Sequence, residues 1–228
     1  MRTLTASRIV DVKRTPYHTI DRLRESQSGL ALIEFALILP FLILLTFGGA
    51  ELANLAITNA RISAITSSIA DGVARVRDRI DENDINDVIT GAKFSAGSLD
   101  LTSRGRIIIS TVEDNAATAT PTDDQIITWQ RCKGTKNVPA AQTIGTASQI
   151  LTSGIGAAGA QVSATPGNPV VIVQIFYDYK PIMSDIFFGA RTIQYSSAFS
   201  VRDRTLQTLQ NGLNLTGSAL STCGYYSA

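Results

Sequence analysis

Residues 30–50, LALIEFALILPFLILLTFGGA, are 21 consecutive positions with only two polar side chains, Glu34 and Thr46. No other stretch constrains the chain as strongly. A helix of this length rises roughly 30 Å, enough to cross the hydrocarbon core of a bilayer. A carboxylate near the end of such a helix is unfavourable in lipid, so Glu34 marks a position where function is expected.

The flanking charges give an orientation. Residues 1–29 carry Arg2, Arg8, Lys13, Arg14, Arg22 and Arg24 against Asp11, Asp21 and Glu25, a local charge of +3, and no cation follows the run until Arg61. Positive-inside bias predicts a cytoplasmic N-terminus and an extracytoplasmic, periplasmic remainder. The whole chain has a formal charge of +1, so nothing in the balance calls for a nucleic-acid partner.

Three readings of the run stay open on hydropathy alone. A cleavable secretory signal has a shorter apolar stretch and a shorter basic region. An uncleaved anchor would tether a periplasmic interaction domain to the bilayer. The third reading rests on the junction Ser28-Gly29-Leu30-Ala31-Leu32-Ile33-Glu34-Phe35. A glycine at the membrane face, an apolar stretch directly after it and a glutamate five residues on resemble a type IV prepilin processing site. That resemblance implies cleavage after Gly29 by a prepilin peptidase, a mature chain starting at Leu30, and loss of a 29-residue basic leader. It also implies that Glu34 neutralises the new amino group of a neighbouring subunit as helices bundle. A buried charge is tolerable once it is paired.

The wider segment IEFALILPFLILLTFGGAEL, residues 33–52, is similar to TadE-like pseudopilins of tight-adherence pili. The pair Glu34-Phe35, the pair Leu39-Pro40 and the small residues before Glu51 carry the likeness. It implies a minor pilin-like subunit held by one transmembrane helix in the bacterial inner membrane. Its partners would be the lipid bilayer, the peptidase and other pilins or assembly proteins, with no cofactor and no small-molecule substrate. Pro40 removes a helical hydrogen bond, freeing the carbonyl of Ala36, which membrane helices tolerate. A kink there is expected, with Gly48 and Gly49 a second weak point.

Beyond the run, Ile62, Ile65, Ile69, Val73, Val76 and Ile80 recur at three- and four-residue steps. The spacing predicts an amphipathic helix over 51–80 continuous with the membrane helix, its stripe packed against the protein's own sheet. The acidic cluster 81–87 lacks the glycine and closing glutamate of an EF-hand. Asn83 or Asp84 is expected to cap a short helix through Ile89 that stops at Gly91. Residues 106–112, 126–131, 170–179 and 191–201 are rich in β-branched and aromatic side chains and read as strands. Residues 114–124 and 133–168 read as loops or short helices. The expected fold class is α+β, pilin-like: a long N-terminal helix packed on a mainly antiparallel β-sheet in an extracytoplasmic domain over 81–228.

Gly154-Ile155-Gly156-Ala157-Ala158-Gly159 fits a dinucleotide fingerprint but has a poor strand before it, and Pro166 and Pro169 leave no room for a crossover helix, so it reads as a loop. Cys132 and Cys223 are the only cysteines. Both lie on the exported side, where a disulfide between them is expected. Two cysteines with no nearby histidine fall short of a zinc site. The single histidine, His18, lies in the leader. Asp178 and Asp185 cannot be paired into an acid–base couple, and no hydrolase or zinc-protease motif is present. Val76-Arg77-Asp78-Arg79 recurs as Val201-Arg202-Asp203-Arg204, which reads as a coincidence of two solvated turns.

Overall fold

The computed structural model describes residues 28–115, 124–156, 159, 161–182 and 189–228. His18, the leader charges and Asp185 lie outside the described residues. The chain divides into two compact units, residues 1–49 and residues 50–228.

Helix α1, Ser28–Ala74, crosses that division. Up to residue 47 its large apolar side chains are exposed on every side. It contains Pro40 and stays helical through it, because the ring removes a single hydrogen bond and the neighbouring residues keep theirs.

In the second unit, α1 from residue 50 onward buries one stripe. Ile62, Ile65, Ile69, Ala70, Val73 and Ala74 join one hydrophobic cluster with Ile107, Ile109, Trp129, Val171, Val173, Ile175 and Tyr177 from the sheet. Each fully buried isoleucine or valine contributes roughly 1.5–3 kcal/mol, which holds a helix that would be marginal alone.

The helix ends at Ala74, six residues short of the expected Ile80. Asp78 takes a left-handed backbone, φ 56°, and strand β1, Asp78–Asp81, follows. Ile80 is still fully buried: the spacing that continues the helical stripe is met by a strand instead. Arg204 terminates the helix from across the fold. Its Nη2 donates to the Val73 carbonyl and its Nε to the Val76 carbonyl at 3.2 Å, so a cation sits where the helix leaves carbonyls unpaired.

Helix α2, Glu82–Ala96, starts two or three residues earlier than expected and runs past Gly91. Its cap is Asp81, not Asn83 or Asp84. The Asp81 carboxylate accepts from the Asn83 amide at 3.0 Å and from Gly212 at 2.7 Å, while Asp84 accepts from the Asp81 amide at 2.9 Å. This is a reciprocal capping box, and those hydrogen bonds hold the Asp81 carboxyl below its ordinary pKa. Ile85, Ile89, Ala92 and Ala96 carry the buried face onward, and Gly97 with φ 57° ends the helix.

After the single turn α3, Leu101–Arg104, come β2, Gly105–Asp114, β3, Gln125–Lys133, β4, Ile150–Leu151, β5, Val170–Asp178, β6, Thr192–Ser200, and β7, Arg204–Gln210. The five-stranded sheet has the order β4-β3-β2-β5-β6, antiparallel at every pairing. The four strands expected from sequence are its body. The parallel pair β1–β7 had no sequence signal, because DRID and RTLQTLQ are short and polar.

That pair brings the two copies of the repeated tetrapeptide together. Asp78 and Asp203 both adopt positive φ, 56° and 54°, and Asp78 lies opposite Arg204 in the β1–β7 register. Val76 and Val201 both pack on the main cluster. The two copies enter paired strands and meet at Asp78 and Arg204, while Arg77, Asp78, Arg79, Arg202 and Asp203 stay exposed as solvated turns would.

The face of the sheet away from α1 is covered too. Val138, Ile144, Leu151, Ile155 and Ala164 from the expected loop region pack on Val112, Ile127, Ile172, Ile108 and Phe176. This is why β2 is buried along both faces. In the Gly154–Gly159 stretch, Ile155 and Val162 exchange backbone hydrogen bonds at 2.8 Å, which makes a looped bridge. No helix follows it among the described residues up to β5.

Candidate functional site

The first candidate site lies within residues 28–49. Gly29 is exposed in the first turn of α1, and an added Cβ there would meet nothing within 4 Å. Leu30 is 61 % exposed and starts the apolar run. Glu34 lies one turn further on. Positions four apart share a face, so Leu30 and Glu34 stand on one side of the helix, about 6 Å apart along the axis. Phe35 is 56 % exposed. Around the one carboxylate the surface is otherwise leucine, isoleucine and phenylalanine. Among the described residues one helix is long and apolar enough to cross a membrane, and its apolar half is exposed.

The second lies in residues 50–228, where α1 leaves the apolar run. Glu51 is buried, 2 % exposed. Its Oε1 accepts from the Tyr179 hydroxyl at 2.6 Å and its Oε2 from the Ile182 amide at 2.9 Å. Asn54 donates to the same tyrosine oxygen at 2.6 Å. Burial, then the bond to Glu51, pushes the Tyr179 hydroxyl up to about 12. These two donors hold the Glu51 carboxylate in place. Sequence reading had placed Glu51 only at the end of a motif. Its burial was hidden because its donors come from beyond β5, some 130 positions away. A carboxylate immediately after a long apolar run was the available signal.

Two further charge sites hold the domain. The Arg131 guanidinium faces the Glu82 carboxylate, whose side chain is 3 % exposed, donating from Nε at 2.9 Å to both oxygens and again from Nη2. Arg106, 3 % exposed, donates to the carbonyls of Gly134, Tyr225 and Cys223 at 2.7, 2.9 and 2.6 Å, and the Tyr226 ring lies 4.1 Å from its guanidinium carbon.

Those contacts seat the C-terminal tail, and a covalent bond completes them. Cys132 and Cys223 form the expected disulfide, S–S 2.08 Å. The Cys132 amide also donates to Ser221 at 2.7 Å and that of Gly134 to Ser227 at 3.0 Å. The tail therefore lies along the end of β3.

None of these clusters arranges a nucleophile beside a base. Glu51, Glu82 and Asp81 each face donors that satisfy them, and their geometry positions backbone and helix ends. No group of three or more potential metal-ligating side chains occurs among the described residues.

No curated protein and no solved structure matches this chain. The family model described as TadE-like protein matches residues 29–71, running from the glycine of the expected processing site through Glu34, Pro40 and Glu51 into the buried stripe. Over residues 29–71 the chain is thus similar to TadE-like proteins.

Proposed function

We propose that this chain is a minor pilin-like subunit acting in the assembly of a bacterial tight-adherence pilus. A prepilin peptidase cuts after Gly29 on the cytoplasmic side. The α1 segment 30–50 retains the mature chain in the inner membrane, and the domain over residues 50–228 stands in the periplasm. The role is structural rather than catalytic. Pro40 lets the membrane helix bend without losing the turns on either side.

The observation that carries this reading is the exposed, all-round apolar helix bearing one carboxylate, Glu34, a single turn from the position where a new amino group would appear. A free amine adds a full positive charge to the positive end of a helix, so cutting the chain creates a charged partner for Glu34. A neighbouring subunit's Leu30 amine supplies that charge when helices bundle, which favours lateral association over dispersal in lipid.

N-terminal sequencing of the membrane-extracted chain tests this. A start at Leu30 supports it. A start at Met1 in cells with active peptidase leaves an uncleaved anchor, and a start beyond residue 50 leaves a secreted domain. Glu34→Ala should insert normally yet lower pilus output at least tenfold, and unchanged output removes the pairing role.

A further inference from the structure

We infer that the free edge of β6 takes up an extended, uncharged strand from a partner protein, whose carboxylate end meets Arg202. The inference is independent of cleavage at Gly29.

The two edges of the sheet differ. On the β4 side the chain covers itself: Ile127 exchanges backbone hydrogen bonds with Ser148 and Gln149, and the amides of Cys132 and Gly134 donate to the tail. Strand β6 forms the other edge for nine residues. At its two ends Tyr179 donates to Arg191 and Val201 donates to Pro169. In an antiparallel ladder this phase gives Ile193, Tyr195, Ser197 and Phe199 to β5. The backbone N–H and C=O groups of Gln194, Ser196 and Ala198 then point outward, and nothing among the described residues takes them.

Edge strands are ordinarily blunted by charge, proline, a bulge or shortness. The segment TIQYSSAFS has no charge and no proline, and its register with β5 is unbroken. Such an edge is a template for strand addition.

The surface beside it fits an added strand. A groove of about 810 Å³ runs along α1 next to Tyr195, lined by Leu52, Leu55, Ala56, Ala60 and Ala64. These residues, interleaved with Asn59, Ser63 and Ser67, would receive the helix-facing side chains of a sixth strand. Towards the end of β6 a second hollow of about 330 Å³ is lined by Phe199, Asp71, Arg75 and Arg202. Asp71 and Arg75 neutralise each other at 2.8 Å. Arg202 is exposed and has no carboxylate within ion-pair distance among the described residues. The groove thus asks for a neutral strand, and its end asks for an acid.

A second copy of the chain fits less well. Ser67 lies against Ser197, and the Ala74 carbonyl accepts from Arg202, so α1 runs in the direction of β6. Antiparallel self-pairing would reverse α1 along with the strand, whereas chains inserted from one face of a bilayer share one direction.

The test uses the full chain in lipid nanodiscs and two synthetic nine-residue peptides alternating valine and threonine, one beginning and one ending in aspartate. Saturable binding of either, with exchange of the Gln194, Ser196 and Ala198 amides slowed about tenfold or more while Tyr195 and Ser197 stay unchanged, supports the inference. Ser196→Pro removes an outward N–H and leaves the β5 ladder intact, so it should weaken binding about tenfold. Ala198→Lys should do the same, and native Trp129 fluorescence reports that each variant is folded. Arg202→Glu should shift preference to the lysine-ended versions of the peptides. Unchanged exchange at those three amides with millimolar peptide overturns the inference. Protection already present without peptide also overturns it, in favour of a second copy if it follows protein concentration, or of lipid if it vanishes in detergent.

Discussion

Replacing both Cys132 and Cys223 by alanine removes a cross-link that closes a loop of 91 residues. In the chain-entropy account, such a loop lowers the entropy of the unfolded ensemble by an amount equivalent to about 4–5 kcal/mol at 25 °C. The native side changes little. The tail keeps the Arg106 hydrogen bonds and those of the Cys132 and Gly134 amides, so the folded structure should survive with its unfolding free energy reduced by most of that amount. For a domain of this size the thermal midpoint should fall by roughly 10–15 °C. Trp129, the only tryptophan, is the reporter: it is 5 % exposed and its indole N–H donates to Gln207 at 3.2 Å. Urea titration of the full chain, followed by its fluorescence, gives the midpoint and slope together. Local fastening is the competing account, in which the variant loses protection only over 216–228 while Trp129 unfolds at the original midpoint. A global change below about 1 kcal/mol, with unaltered slope, would refute the unfolded-state argument.

Other expectations follow from the same structure. Arg204→Met keeps the aliphatic stem but removes the donors that close α1 at Val73 and Val76, and should destabilise the domain by about 2–3 kcal/mol. An unchanged urea midpoint would mean that water replaces the guanidinium without penalty. Tyr179 favours its neutral form when folded, because its pKa is raised to about 12 from the ordinary 10.0. Its contribution is therefore complete below pH 10 and is lost as pH rises from about 10 through about 12. Alkaline difference spectra of wild type against Tyr179→Phe should show this one tyrosine ionising late, and ionisation near 10 would contradict the buried bond to Glu51.

The long apolar helix and the disulfide were legible for different reasons. Gly29, Glu34, Phe35 and Pro40 sit inside one uninterrupted helix, where spacing along the chain is also spacing in space. The cysteines needed only their number and compartment. Glu51, Arg106 and Arg204 were not legible as sites, because each depends on groups more than a hundred residues away in sequence, joined for Arg106 by the nearer Gly134.

What local chemistry imposes is plain in α1 and in the four long strands. A 21-residue apolar run cannot be solvated by water, and dense β-branched sequence favours extended backbone whatever surrounds it. Tertiary structure decided where α1 stops, because the stripe through Val76 and Ile80 suits either a helix or a strand, and only the arrival of Arg204 at the Val73 and Val76 carbonyls selects between them. It likewise decided that two identical tetrapeptides meet as paired strand entries, and that β6 is left at an open edge. Strand order is a property of long-range pairing, and no segment carries that information alone.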